Sequence, residues 1–294
     1  MLKNAALQVG AQSMTAPLRA VVMRRPGAAF RGADPQKWHY GPGFDADKAA
    51  AQYEVFAGMI ADAGAEIFWL GDDDASSDGI FTHDPSLVGD RGAILLAMGK
   101  DLRRDEPASH GLLYERLGVP VIGRIEAPGT VEGGDCIWLD SQTLAVGRGV
   151  RTNQAGIEQL AAILRPLDVT VLGFDLPLWG GEAACLHLMS VISPLDDDLA
   201  LVHSPLIPVA LYRLMRDLSI GMVECCPNEF AASNGLSLNV LALAPRRIIA
   251  IAGYPETSKR MAAHGCNVET FKADALCIPC EGGPTCLTRP LRRG

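Results

Sequence analysis

The chain of 294 residues carries 26 Lys and Arg against 34 Asp and Glu, a formal net charge of −8. That balance argues against nucleic acid or an anionic membrane surface as a general partner. Hydrophobic residues make up 48%, enough for a sizeable core, but the most apolar tract, LSLNVLALAPRRIIAIAGY, is cut by Pro245-Arg246-Arg247 and cannot span a bilayer.

The start, MLKNAALQVGAQSM, has no apolar run ahead of a small-residue cleavage site, so the eight cysteines are expected as reduced thiols in the cytoplasm. The first strand pattern is LRAVVMRR, followed by a helix and a strand in AAQYEVFAGMIADAGAEIFWLG. Four stretches then read strand, polar turn, strand: SLVGDRGAILLAMG, CIWLDSQTLAVGRG, SVISPLDDDLALVH and NVLALAPRRIIAIAG. Breaks such as Gly89-Asp90-Arg91 between aliphatic runs are hairpin signatures. A helical pattern follows each hairpin, clearest in QAGIEQLAAILRPL and PLIPVALYRLMRDL, where apolar residues recur at helical spacing. A lone apolar strand closes each unit: VPVIGRI, VTVLGFD, IGMVECC and NVETFK. The hairpins begin roughly 50 residues apart, a period that marks repeat architectures. The unit is strand-strand-helix-strand, about five times over, in one α/β domain over residues 1–294. The competing reading is an irregular α/β protein whose hairpins are evenly spaced by chance.

Each lone strand is followed by a loop rich in Gly, Pro or small polar residues: DDDASSDGIFTHD, EAPGTVEGGD, LPLWGGEAACLH, PNEFAASNG and CIPCEGGPTC. Units packed about one axis would bring these loops to one end, where Asp84, Glu132, His187 and Cys286 would meet. The terminal LTRPL would then pair with LRAVVMRR and close a ring.

Cys286 follows Gly282-Gly283-Pro284, which suits a close backbone approach to a ligand. A thiol attacks as thiolate and needs a base or positive charge from elsewhere in the fold. His187 is a natural partner, with Glu132 available to fix its ring. Packing remains an alternative for a lone cysteine. Zinc at Cys277, Cys280 and Cys286 is another, although a structural site wants four ligands. The acidic runs Asp72-Asp73-Asp74 and Asp196-Asp197-Asp198 read as solvated loop and turn. His83 lies in a candidate loop, whereas His39, His110, His203 and His264 read as surface or boundary residues.

RIEAPGTVEGGD, VGRGVRTNQAG, LHL and GGPTCLTRPL, in this order across nearly the whole chain, resemble the guanidine-modifying enzymes. These comprise the dimethylarginine dimethylaminohydrolases, arginine deiminases and amidinotransferases. The resemblance implies a five-bladed α/β propeller of the pentein type, working without cofactor or metal on a small arginine-like substrate. It is compatible with a homo-oligomer. It also implies Cys286 as nucleophile, His187 as general acid and base, and Glu132 as the carboxylate that positions His187. Asp84 would bind the guanidinium, Asp78 the α-amino group, and Arg151 and Arg103 the α-carboxylate, with Arg104 competing for the last assignment. Met189 stands where arginine deiminases carry aspartate, and His83 where dimethylarginine enzymes often carry glutamate. A thioether cannot pair with a cation, so plain arginine is disfavoured. Hydrolysis of Nω,Nω-dimethyl-L-arginine to citrulline and dimethylamine is the best single expectation. The alternatives are a deiminase, a citrulline hydrolase, an amidinotransferase, a non-catalytic amino-acid binder and a zinc-stapled interaction protein.

Overall fold

The computed structural model describes residues 7–71, 76–181 and 185–294, so the run Asp72-Asp73-Asp74 lies outside the described residues. Its strands form five three-stranded sheets. Four of them follow chain order: Ser86–Gly89, Gly92–Leu95 and Val121–Arg124; Cys136–Asp140, Thr143–Arg148 and Thr170–Asp175; Ile192–Asp196, Leu199–Val202 and Gly221–Glu224; Leu241–Ala244, Arg247–Ile251 and Asn267–Phe271. In each, a hairpin supplies an antiparallel pair and a helical crossover returns the third strand parallel to the second. The fifth sheet closes the ring. Leu18–Met23 runs parallel to Glu66–Trp69 and antiparallel to Arg289–Arg293, with Val21 opposite Pro290. The expected five-bladed propeller, and the pairing of the first strand with the chain's last segment, are therefore present.

The middle strands explain why the repeat was readable. Gly92–Leu95, Leu199–Val202 and most of Arg247–Ile251 are buried along their length. A strand covered on both faces reads as an unbroken apolar run. The crossover helices, Ala46–Asp62, Glu106–Leu117, Gln154–Leu164, Val209–Asp217 and Pro255–Ala263, cover the blades from outside. In Gln154–Leu164, Ile157, Leu160 and Leu164 face the sheet. Each contributes about 1.5–3 kcal/mol of burial, and Leu160→Asp would break the contact. Asn153 begins this helix by accepting from Gly156 N at 2.9 Å, a cap worth about 1 kcal/mol. The same carboxamide oxygen accepts from Thr130 N at 3.1 Å. One side chain thus starts the helix and fixes the loop that carries Glu132.

One sequence expectation changes, that for His110, and the CIPC segment takes a definite form. CIPC closes one helical turn, Cys277–Cys280, in which both cysteines are free and buried. Among the described residues neither belongs to a grouping of side chains able to share a metal. His110, expected near the surface, is 1% exposed and bonds Ser86 Oγ through Nδ1 at 3.0 Å. It sits on the inward side of its helix, where Ser86 and Tyr114 give it polar partners. Among the described residues no helix is long and apolar enough to cross a membrane.

Candidate active site

A cleft of about 140 Å³ opens at one end of the axis, and its wall includes Asp78, Asp84, Arg103, Arg151, His187 and Cys286. Glu132, wholly buried, lies directly behind His187. The loops named in the sequence therefore do converge, and every one of the seven expected site residues is in the cleft or in contact with a residue that lines it.

Glu132 is held by main chain. Its own N–H donates to Thr152 Oγ1 at 3.1 Å, and its Oε1 accepts from Gly99 N and Lys100 N at 2.9 and 3.1 Å. Oε2 meets His187 Nε2 at 2.8 Å. Burial disfavours the Glu132 anion, but the His187 bond and charge, with Arg151, outweigh this and lower its pKa. For His187, burial opposes the imidazolium, but Cys185, Asp135 and the Glu132 bond hold its pKa well above the ordinary value. Gly134 makes room for this pair. A Cβ there would lie 2.6 Å from His187 Nδ1, so any side chain would push the imidazole from its place.

Asp84 is pinned from two sides, with Oδ1 accepting from Gly134 N at 2.9 Å and Oδ2 from Arg103 Nη1 at 2.7 Å. Burial works against its charge, but Arg103 and then His187 more than compensate and keep the carboxyl ionised. Arg103 is 5% exposed. Its remaining donors go to Glu106 and to Phe81 O, at 2.8–3.0 Å. Arg103 therefore braces Asp84. Arg104 points outward to Asp101 with its side chain 69% exposed, which separates the two neighbours.

Cys286 is partly buried. Its Sγ receives Asn239 Nδ2 at 3.2 Å, and Asn239 Oδ1 accepts from Thr285 N at 3.1 Å. A Cβ at Gly283 would come within 2.4 Å of that oxygen, so the glycine before Pro284 is what lets Asn239 approach. Burial and the Asp84 charge push the thiol pKa up, against smaller help from Gly283 N, His187 and Asn239.

At the other end of the cleft, Asp78 takes Lys100 Nζ at 2.6 Å and Tyr40 Oη at 3.0 Å. Arg151 Nη1 lies 3.2 and 3.3 Å from the Glu132 oxygens, with the side chain 20% exposed. Met189 and His83 line the cleft floor, both nearly buried. His83 Nδ1 bonds Thr288 O at 2.8 Å. Residues 39–44, HYGPGF, are packed beside the cleft by Tyr40–Phe44 ring contact and by Gly41 N donating to Pro279 O at 2.7 Å. Asn239, Lys100, Cys185 and Glu106 were not anticipated. The segment PNEFAASNG was placed at the axis, but Asn239 itself reads as an ordinary first residue of a hairpin.

A ring of five blades around a thiol, an imidazole and three carboxylates defines an α/β-propeller enzyme of the class that acts on linear amidines. The arginine deiminase family profile matches residues 74–221. The N(G),N(G)-dimethylarginine dimethylaminohydrolase of Streptomyces coelicolor is 30% identical over 83% of this chain and 86% of its own length. The Pseudomonas aeruginosa protein of the same name is 28% identical over 83% and 89%. Among solved structures, a mutant of the P. aeruginosa enzyme complexed with citrulline superposes with a TM-score of 0.77 at 23% identity, covering 94% of this chain and 100% of that one. An amidinotransferase of Microseira wollei superposes with a TM-score of 0.77 at 17% identity over 98% of both. The chain belongs to the arginine deiminase and dimethylarginine dimethylaminohydrolase family, and it is a hydrolase of C–N bonds in linear amidines.

Proposed function

We propose that the propeller is one catalytic unit that releases an amine from the guanidino end of an arginine-like molecule through a covalent adduct on Cys286, with Nω,Nω-dimethyl-L-arginine the best-fitting reacting end. The observation that carries this reading is the meeting of Cys286, the Glu132–His187 pair and Asp84 in one cleft. Ionised Asp84 suits a planar cation beside it. The free thiol is held up by burial and by Asp84. A docked guanidinium offsets both effects, so the thiol proton leaves to solvent as substrate binds.

The thiolate then bonds to the guanidinium carbon, giving a tetrahedral adduct. His187, protonated at neutral pH by its neighbours, gives its proton to the departing dimethylamine as that C–N bond breaks, leaving an S-alkylthiouronium. The now neutral His187 takes a proton from water as the water oxygen bonds to the same carbon. Collapse expels the Cys286 thiolate, the hydroxyl proton passes to solvent, and the ureido group of the product is left. Each proton transfer by His187 contributes roughly 10²–10⁴-fold.

Met189 favours methyl groups at the leaving side, because its thioether offers no charge to an unsubstituted guanidinium. The test is a screen of arginine, its methylated forms, citrulline and simple guanidines with products identified. Dimethylamine with a ureido product is expected. Ammonia with citrulline would reassign the enzyme as a deiminase, ornithine as a transferase, and no turnover of any compound would overturn the reading.

A further inference from the structure

The ammonium subsite expected at Asp78 is already filled by the protein. Asp78 Oδ2 lies 2.6 Å from Lys100 Nζ, and Oδ1 accepts from Tyr40 Oη at 3.0 Å. The pair is poorly solvated, with the two side chains 17% and 8% exposed, so water screens it less than a surface ion pair. The Lys100 ammonium has further partners, Trp38 O at 3.4 Å and the Trp38 ring with its centroid 5.2 Å away, the latter a cation–π contact. Its backbone is anchored as well, since Lys100 N donates to Glu132 Oε1 at 3.1 Å. A substrate ammonium arriving here would have to displace a tethered cation, or share one carboxylate with it at a like-charge cost.

Among the described residues the other carboxylates of the cleft are already engaged, the exposed Glu281 by Asn234 Nδ2 at 3.3 Å. Asp84 is bonded to Arg103 and Gly134 N, and Glu132 to His187, Arg151 and two backbone N–H groups. Among the described residues, two cations lining the cleft remain able to reach a ligand's anionic head: Lys100, and Arg151, whose bonds to Glu132 are the long ones of that carboxylate. This end of the cleft is therefore built for a carboxylate with no free ammonium beside it.

Resting on the amidine-hydrolase reading above, we infer that Lys100 determines specificity by occupying the ammonium position at Asp78, so that the substrate is a guanidino carboxylate whose α-amino group is acylated or absent. The reacting end is unchanged by this. The leaving amine is still set at Met189, and the head group is set at Lys100.

The experiment compares kcat/KM for three compounds with the same dimethylguanidino end: the free amino acid, its Nα-acetyl derivative, and the ω-guanidino acid lacking the amino group. Wild type and Lys100→Met are both measured, with Lys100→Gln as a second variant should the first fail to fold. Wild type is expected to prefer the blocked or deaminated compounds by about tenfold or more, and the variant to shift the ratio toward the free amino acid by a similar factor. A wild-type preference for the free amino acid, or a ratio unmoved by the substitution, overturns the inference. Equilibrium binding of citrulline and Nα-acetylcitrulline to Cys286→Ser gives the same readout without turnover. Weaker binding of the acetylated compound sinks the head-group assignment even if no hydrolysis is seen. Tighter binding of it with no hydrolysis anywhere sinks the hydrolase reading instead.

Discussion

The two ends of the cleft are organised by different means. At the reacting end the carboxylates are fixed by backbone: Glu132 by Gly99 N and Lys100 N, Asp84 by Gly134 N. Main-chain donors cannot swing away, so the imidazole they position is preorganised before any ligand arrives. At the head-group end, Asp78, Lys100 and Tyr40 satisfy one another through side chains. Such pairs can be exchanged or edited one residue at a time. On the proposed reading, the chemistry belongs to the part of the cleft fixed by main chain, and recognition to the part held by exchangeable side chains.

The largest expected effect lies at the reacting end. Cys286→Ser should lower kcat by about 10⁴-fold or more, as removal of a nucleophile does when its partners remain. His187→Ala should do nearly the same, while both variants keep the wild-type circular dichroism. Substantial hydrolysis by the serine variant would break the contrast at once.

Next in size is the brace behind Asp84. Arg103→Met strands two buried carboxylates, Asp84 and Glu106. Leaving a buried charge without its partner costs about 3–5 kcal/mol, read as a lower midpoint in urea unfolding. Turnover should fall with it. A loss confined to KM, with stability unchanged, would instead return Arg103 to the head-group end, where the sequence had placed it.

The neighbourhood of Arg103 shows what was legible. The blades were, because unbroken apolar runs and helical patterns recur around middle strands that are buried throughout, such as Leu199–Val202. The converging loops followed from the repeat, and Cys286, His187, Glu132 and Asp84 could be expected to meet because each sits in such a loop. Arg103 and Lys100 were harder. They stand a few residues apart beside Arg104, and only the three-dimensional pairing with Glu106, Asp78 or solvent tells the three cations apart. Asn239 was missed because a carboxamide just ahead of a strand carries no periodic signal, and its approach to Cys286 depends on the absent Cβ of Gly283.

Acid stability gives a smaller effect on the floor between the two ends. Burial pushes the His83 imidazole down to about 3, below its unfolded value near 6.5. The folded state therefore refuses a proton that the unfolded state accepts. Stability from this residue is intact above about pH 6.5 and is lost as pH falls from there towards 3, by roughly 1.4 kcal/mol per pH unit. His110, also lowered by burial, adds to the slope in the same direction. His187, raised by its neighbours, acts oppositely, and its contribution is lost only as pH rises through its folded value. His83→Asn keeps an N–H for Thr288 O and should flatten the acid limb of stability against pH by about one proton. An unchanged slope would mean that His83 does not stay neutral in the folded state.

The smallest effect is the most direct test of independence between the ends. Tyr40 Oη donates to Asp78 Oδ1 at 3.0 Å, while its ring packs against Phe44 and Phe30. Tyr40→Phe removes one hydrogen bond and leaves the ring packing. A bond to a charged acceptor is worth about 1.5–3 kcal/mol when nothing replaces it, but Asp78 keeps the Lys100 ammonium at 2.6 Å, which offsets part of the loss. About 1 kcal/mol, or roughly fivefold, should appear in KM. The turnover number should hold, because Cys286, His187 and Glu132 share no hydrogen bond with Tyr40. The link that could defeat this runs through one residue: Lys100 bonds Asp78 with its side chain and Glu132 with its backbone N–H. If kcat falls together with the rise in KM, a disturbance at Asp78 reaches the catalytic carboxylate through Lys100, and the adjustable end is coupled to the fixed one.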